Sequence, residues 1–473
     1  MSMERTSLMI PPELREQMTP AVLAFVESLL QTIAVQQREI DELRTRVNRT
    51  PQNSSQPPSS VHLHAKPAPP PSSGKKRGGQ PGHPKHERAL VPPEEVTETF
   101  LLKPQSCRGC GKRLSGEDPD PLRHQVFELP EIKPVIMEYQ RHRLTCACCG
   151  VQTCAVLPRG VPEGQTGPRL TAFTGLLMGC FRQSKSRAKL FLEQWLGQPC
   201  STGLTVKLQN LTTRALQPVY QQLCAALPAQ PVLNIDETPT KEAAAKSWLW
   251  TFVARGFTVF AVRPTRGAVV LDELLTEKFS GVVGCDRAKM YWQEERLQWC
   301  WAHLKRDFQA MADSPHRQAR GIGEELLAQT KLLFRRWHRF AAAAITRTGL
   351  KQTLAPVRRD VERLLRKGFV CGHGPTEGTC TELLHHREWL WTFLDHDGVQ
   401  PTNNASERAL RHGVIWRKLS FGTQSSSGSR FVETLLSIIE TCRQQGRNVW
   451  EFVTEAVRRM FHRRRSKTLL STA

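Results

Sequence analysis

Pro231-Val-Leu-Asn-Ile-Asp-Glu237 is the stretch on which the fold turns. Its first part, Val232 to Ile235, is short and mainly apolar and reads as a buried strand. Asp236, Glu237 and Thr238 follow at once, and a carboxylate in that position is costly unless it is paired or holds a cation. Working outward, SWLWTFVAR (247–255) and FTVFAVR (257–263) read as two more strands, with Arg255-Gly256 as a tight hairpin turn between them. GVVGCD (281–286) brings a second acid, Asp286, to a strand end, and LQWCWAH (297–303) is a further strand. Trp248, Trp250, Trp299 and Trp301 alternate along these strands and are read as core. Residues from about 303 to 395 read as helix, as does the chain from Asn403 onward. Strands followed by helices, with helical material inserted, predict a multidomain α/β protein whose core carries a helical insertion at about 305–400.

The segments on the N-terminal side differ in texture. Residues 1–50 are assigned to an N-terminal coiled-coil helix, whose heptad runs from about 20 to 48, with Val26, Ile33, Ile40 and Val47 at a and Leu29, Gln36 and Leu43 at d. Beta-branched residues at a with leucine at d favour a parallel two-stranded coiled coil, so self-association is expected there. Residues 51–91 are rich in Pro, Ser and Gly, and Lys66, Lys75, Lys76, Arg77 and Lys85 face no acid over 51–86. Such a stretch buries too little apolar surface to order itself and is expected to be a disordered basic linker. Its block Lys75-Lys76-Arg77-Gly-Gly-Gln-Pro-Gly-His83 suits contact with phosphates, and a solvated tether is the alternative.

Residues 92–160 hold two CxxC-Gly knuckles, Cys107/Cys110 before Gly111 and Cys146/Cys149 before Gly150. Four thiolates are the ligand set that structural tetrahedral zinc prefers. Apolar segments between them, HQVFELP and VIMEYQRHRL, are expected to be strands of a zinc ribbon. Residues 161–228 read as three helices, Arg169–Phe181, Lys185–Leu196 and Ser201–Ala215, with Ser201 as an N-cap. Lys185, Arg187 and Lys207 make this helix-turn-helix-like segment a candidate DNA-facing surface. The core itself is assigned to 229–455, and residues 456–473 to a basic C-terminal tail.

A third acid comes from Asn403-Asn-Ala-Ser-Glu407, where Asn403, Glu407 and Arg411 share a helical face. Asp236, Asp286 and Glu407 together suit Mg²⁺ or Mn²⁺, two ions of which support phosphoryl transfer. The bland alternatives are strand-end loops and a capping box of Asn404 with Glu407. His303 is expected to orient the helix after its strand, and Cys371, His373 and Cys380 to be a glycine-rich loop with chance thiols. Lys plus Arg exceed Asp plus Glu, 66 to 44, for a net charge of +22, which points to a polyanionic partner. No run of about 18 apolar residues and no signal peptide are read, so a cytoplasmic, nucleoid-associated protein is expected. The absence of a GxxxxGK[ST] loop argues against an ATP-driven motor.

With these residues in hand, the chain resembles the bacterial insertion sequence 66 family of transposases. The resemblance rests on the coil, KKRGGQPGH (75–83), the CxxC pairs, NIDETP (234–239), WCWAHLKRDF (299–308) and NNASERALRHGVIWRK (403–418). It implies a ribonuclease-H-like core with an Asp-Asp-Glu triad at Asp236, Asp286 and Glu407. It implies cleavage at the element's terminal inverted repeats and joining to target DNA. Arg408, Arg411, Arg417 and Lys418 would contact DNA, and helper proteins of the same element are expected. The run Asp286-Arg-Ala-Lys-Met-Tyr291 departs from the Asp-Gly-Tyr type expected there, so contacts of Arg287 and Lys289 are open. Glu237 is read as pointing to the opposite face of the strand from Asp236. Two rivals stand beside this reading: a metal-dependent nuclease that does not join, and an inactive or domesticated DNA-binding protein.

Overall fold

The computed structural model describes residues 10–47, 49–50, 53, 88–275 and 279–470, so Lys75, Lys76, Arg77 and almost all of the basic linker lie outside the described residues. The chain divides into two units, His64–Ile136 on one side and Met1–Leu63 with Met137–Ala473 on the other. The division falls inside the expected zinc segment and puts one knuckle in each unit. In the smaller unit, Cys107–Gly111 forms a turn closed by an antiparallel bridge between Ser106 and Arg113.

The larger unit begins with a short helical turn, α1 (Pro12–Arg15), and a long helix, α2 (Pro20–Val47). The a and d positions Leu29, Ile33, Ile40, Leu43 and Val47 of α2 are exposed on this chain. Strands β1 (Arg143–Thr145) and β2 (Gln152–Cys154) pair antiparallel around the second knuckle. The segments HQVFELP and VIMEYQRHRL were expected to be strands. Neither is one, apart from Arg143 and Leu144 entering β1. Alternating apolar residues specify a strand only where a second strand supplies the ladder. Within the smaller unit the only described bridge is Ser106 to Arg113.

Helices α3 (Pro168–Gly179), α4 (Lys185–Leu196) and α5 (Thr202–Ala225) follow. Ser184 caps α4 through the amide of Arg187, and Ser201 caps α5 through that of Leu204. α5 runs ten residues beyond the Ala215 end read from the sequence, straight through Pro218. Its buried stripe, Leu208, Thr212, Leu216, Val219 and Leu223, continues past the proline at helical spacing, and that burial outweighs one lost backbone bond.

Five strands form the central sheet: β3 (Val232–Glu242), β4 (Ala245–Val253), β5 (Thr258–Arg263), β6 (Val282–Cys285) and β7 (Leu297–Trp299). Helix α6 (Val269–Leu275) links β5 towards β6. The order is β5-β4-β3-β6-β7, antiparallel among the first three and parallel from β3 to β7. The hairpin at Arg255-Gly256 is closed by the Ala254 amide on Phe257 O at 2.9 Å. β3 continues six residues past Asp236, pairing with β4 along its length, so Asp236 lies within a strand rather than at its end. Trp250, Trp299 and Trp301 are fully buried and Trp248 packs against the same core.

After β7 come α7 (Trp301–Ala312), α8 (Arg317–Ala341), α9 (Arg347–Phe369), α10 (Gly374–His385) and a short turn, α11 (Thr392–Asp395). They form the helical block inserted before α12 (Asn404–Ser420), α13 (Ser426–Gln444) and α14 (Val449–Phe461). α13 covers the outer edge of the sheet. Its Thr441, Ser437 and Glu433 side chains accept from the amides of Thr258, Phe260 and Val262 in β5. One helical turn rises about 6 Å over four residues and a strand about 6.7 Å over two, so the two repeats keep step. The free edge, otherwise a template for aggregation, is thereby closed. α14 crosses residue 456, where the sequence reading begins the basic tail. Beyond it Leu469 is fully buried, and the Ser466 hydroxyl donates to Ala215 O, so the described end of the tail packs on the core.

Candidate active site

The parallel pairing of β3 with β6 runs Val232 to Val282, Leu233 to Val283 and Asn234 to Gly284. Asp236 lies two residues beyond the last pair, and Asp286 directly follows Cys285, the last residue of β6. The two strands therefore deliver both acids to the same end of the sheet. Burial raises the Asp236 carboxyl well above the usual carboxylate range, and the negative charges of Glu237, Asp286 and Glu407 raise it further. Asp286 and Glu407, from two other elements, are thus electrostatic neighbours of Asp236.

Glu407 is placed by the start of α12. Asn403, 1% exposed, donates from Nδ2 to the carbonyl of Ile235 in β3 at 2.7 Å. Its backbone amide meets Cys300 Sγ at 3.1 Å, at the head of α7. These contacts pin the first turn of α12 to the strand that carries Asp236. The capping box considered for Asn404 and Glu407 does not form: α12 has no side-chain cap, and Glu407 Oε1 is buried without a hydrogen-bond partner. His303 Nδ1, also buried and unbonded, lies 3.6 Å from that oxygen. Donor atoms of Cys300, His303 and Glu407 lie within 4.8 Å of one another. Burial pushes the Cys300 thiol up to about 11, so it is neutral here. His303 therefore stands beside the third acid, a proximity the sequence reading gave little weight.

Glu237 is adjacent to Asp236 in a regularly paired strand, where successive side chains leave opposite faces, and it stays within reach of the Asp286 charge. It is buried and paired with Arg266 at 2.6 Å, and the Tyr291 hydroxyl donates to it. Arg266 also lies 4.0 Å from Asp286, joining the two carboxylates. Burial and the Asp286 charge raise the Glu237 carboxyl, while Arg266 and Tyr291 oppose them. The Asp286 carboxylate accepts from the amide of Ala288 at 2.9 Å. Arg287 faces the helical insertion, pairing with Asp307 at 3.1 Å and Glu382 at 2.8 Å, so it braces the site rather than lining it. Lys289 lies over the ring of Trp292. Arg266, Tyr291 and Asn403 were not singled out as site residues. The one available signal was Asn403, an amide four residues before Glu407 on the same helical face.

The candidate DNA-contacting cations fall on two surfaces. Lys185, Arg187 and Lys207 are exposed on α4 and α5, and Arg408, Arg411 and Lys418 are exposed on α12. Arg417 is half-buried and spends hydrogen bonds on Thr238 Oγ1 and the Pro239 carbonyl, tying α12 to β3.

The knuckles share one local geometry. In each, the amide of the glycine donates to the carbonyl of the first cysteine at 2.9 Å, Gly111 to Cys107 and Gly150 to Cys146. Both glycines have a positive φ, 73° and 70°, which a side chain would strain. Amides of Cys110 and Gly109 lower the Cys107 thiol, and amides of Cys149 and Cys148 lower that of Cys146. Cys371 and Cys380 are buried, and burial pushes Cys380 up to about 12, as suits inert core thiols.

A family profile described as "Transposase IS66 family" matches residues 176–430, more than half of the chain. Two curated proteins of Sinorhizobium fredii (strain NBRC 101917 / NGR234) are similar over most of their length. Uncharacterized protein y4qI is 24% identical over 410 residues, covering 78% of this chain and 72% of that protein. Uncharacterized protein y4hP is 25% identical over 392 residues, covering 74% and 69%.

Proposed function

The chain belongs to the IS66 transposase family, and from that premise we propose that it binds the terminal inverted repeats of its element and carries out divalent-metal-dependent DNA cleavage and strand transfer. One arrangement carries the proposal: the parallel register of β3 with β6 brings Asp236 and Asp286 to one end of the sheet, and the Asn403–Ile235 bond holds the first turn of α12, with Glu407, against β3. The sheet order, with three antiparallel strands followed by two parallel ones, supports a ribonuclease-H-like core.

The donor set fits hard divalent cations. Three carboxylates, Asp236 half-buried among them, carry a repulsion at Asp236 that an ion would relieve, and Glu407 Oε1 is an unpartnered buried acceptor. Asp236, Asp286 and Glu407 would hold Mg²⁺ or Mn²⁺, two ions in the proposed form. When bound, such ions activate the attacking oxygen and offset charge on the leaving oxygen.

The remaining work falls to the chain. Asn403 sets the distance between Glu407 and β3. Arg266 and Tyr291 hold Glu237 and steady its charge beside Asp286. Exposed Arg408, Arg411 and Lys418 would neutralise phosphates and orient the scissile bond. Lys185, Arg187 and Lys207 would grip the ends, helped by Lys75, Lys76 and Arg77.

The lowered thiols of Cys107 and Cys146 support structural Zn²⁺ at the knuckles with Cys110 and Cys149. The exposed seam of α2 supports pairing of two protomers. No described helix is long and apolar enough to cross a membrane, and a cytoplasmic, nucleoid-associated location completes the proposal. Helper proteins of the same element remain part of it. The test is Asp236→Asn: it should abolish cleavage of end-containing DNA and leave binding of that DNA intact. Undiminished cleavage would overturn the assignment.

A further inference from the structure

We propose that the groove between the β3–β4 hairpin and the C-terminal end of α12 binds an unpaired DNA nucleotide, with Phe421 as its stacking platform. The inference takes its polynucleotide from the transposase reading and adds a site which that reading does not contain. The groove is a cavity of about 560 Å³, within the range of small-ligand sites. Pro239, Lys241, Lys246, Arg417, Lys418 and Phe421 line it, and no acid does. Lys241, Lys246 and Lys418 form no ion pair among the described residues; Lys246 Nζ lies 5.1 Å from the centre of the Trp248 ring, and Lys241 and Lys418 leave their charge to the groove and solvent.

Phe421 is the unusual member. The residue is 79% exposed, and its backbone is left-handed, with φ of 58°. That is the position after a helix where glycine normally stands. Both the exposure and the backbone favour some other residue. The backbone that carries the ring is nevertheless held firmly. Phe421 donates its amide to Arg417 O at 2.8 Å, closing α12. Gly422 follows with φ of 106°, and a Cβ there would come 2.4 Å from the carbonyl oxygen of Lys241. Thr423 donates to Lys241 O at 2.9 Å, and Ala243 donates to Thr423 O at 2.7 Å. The backbone on both sides of the aromatic is thus fastened to the hairpin, and the ring stands among cations.

An exposed ring on a fastened backbone, set beside cations, is the combination that binds single-stranded nucleic acid, since every base offers a face and every linkage a charge. Duplex DNA keeps its bases stacked on one another and leaves the ring unused. The location suits a strand held at the carboxylates. Lys241 lies five residues along β3 from Asp236, about 17 Å, a few nucleotides away.

The test uses the full-length chain carrying Asp236→Asn, in EDTA, with a dye-labelled oligothymidylate read by fluorescence anisotropy. Phe421→Gly is the informative variant, because glycine accepts the left-handed backbone and the chain should be at least as heat-stable. It should bind the oligothymidylate roughly tenfold more weakly, about 1.4 kcal/mol, and bind duplex DNA within about twofold of the parent. Phe421→Tyr should restore single-strand binding. Replacing Lys241 and Lys246 with alanine should lower the slope of log affinity against log salt by about 1.4, two phosphates' worth for single strands. Unchanged binding by Phe421→Gly overturns the proposal, as does an equal loss on duplex and single strand. Displacement of the oligonucleotide by polyglutamate as readily as by DNA overturns it too. Since no cleavage is measured, a chain that never cuts DNA can still pass, and one that cuts normally can still fail.

Discussion

Asn403→Ala removes one side chain from the seam between β3 and α12, and its consequences for stability and chemistry separate cleanly. The side chain is buried, and its Nδ2 donates to Ile235 O at 2.7 Å. Leaving a buried carbonyl short of a donor costs about 1–3 kcal/mol. Asn403 Oδ1 already lacks a partner, so its removal offsets part of that cost. A net loss of about 1–2 kcal/mol follows, read as a lower urea midpoint by tryptophan fluorescence. The larger effect is on rate. Without the tether the first turn of α12 can shift against β3, carrying Glu407 from Asp236, and misplacement by about 1 Å costs about 100-fold. Metal-dependent cleavage at saturating DNA should fall by that order, with DNA binding unchanged. Asn403→Asp should be worse, because it loses the donor and adds a negative charge beside an already repelled Asp236. Cleavage by Asn403→Ala within about twofold of the parent, in a chain destabilised as expected, would refute the claim that this bond places Glu407.

Three further outcomes are expected. Because the Asp236 carboxyl is raised, the folded metal-free chain keeps a proton that the unfolded chain loses above about pH 4, so this group lowers stability as pH rises from there. Asp236→Asn should therefore melt higher than the parent at neutral pH in EDTA, with the gap closing towards pH 4. A gap that widens in acid contradicts the sign. Cys110→Ser and Cys149→Ser should each lower zinc content measured by mass spectrometry, and full zinc in either variant would remove that knuckle from the assignment. Ile33→Asp in the α2 seam should reduce the mass seen by light scattering, and an unchanged mass would place self-association elsewhere.

Local features of the sequence carried the reading of the sheet well. β3, β4 and β5 announced themselves through apolar runs and a two-residue hairpin, and the knuckles through glycines that need positive φ. Asp236, Asp286 and Glu407 each sit in a short motif that singles them out in the sequence. What could not be read was set by tertiary packing. The third helix of that segment reads as ending at Ala215, and only the buried stripe of α5 carries it on through Pro218. HQVFELP and VIMEYQRHRL have strand-like alternation, but no partner strand pairs with either over its length. Arg266, Tyr291 and Asn403 lie on segments far apart in sequence that meet only when β3 is flanked by β6 and α12. Phe421 gave no sign at all, since nothing in its neighbours marks it as both exposed and left-handed.

The central claim is that the three acids join DNA as well as cut it. Its most direct measurement is strand transfer by the purified chain with Mg²⁺ and pre-cut DNA carrying the element's ends, resolved as joined product on a denaturing gel. Joined product from the parent, and none from Asp236→Asn, Asp286→Asn or Glu407→Gln with end binding retained, is the predicted result. Joining that survives any of these three changes, or a parent that binds and cuts the ends but never joins them, would contradict the account.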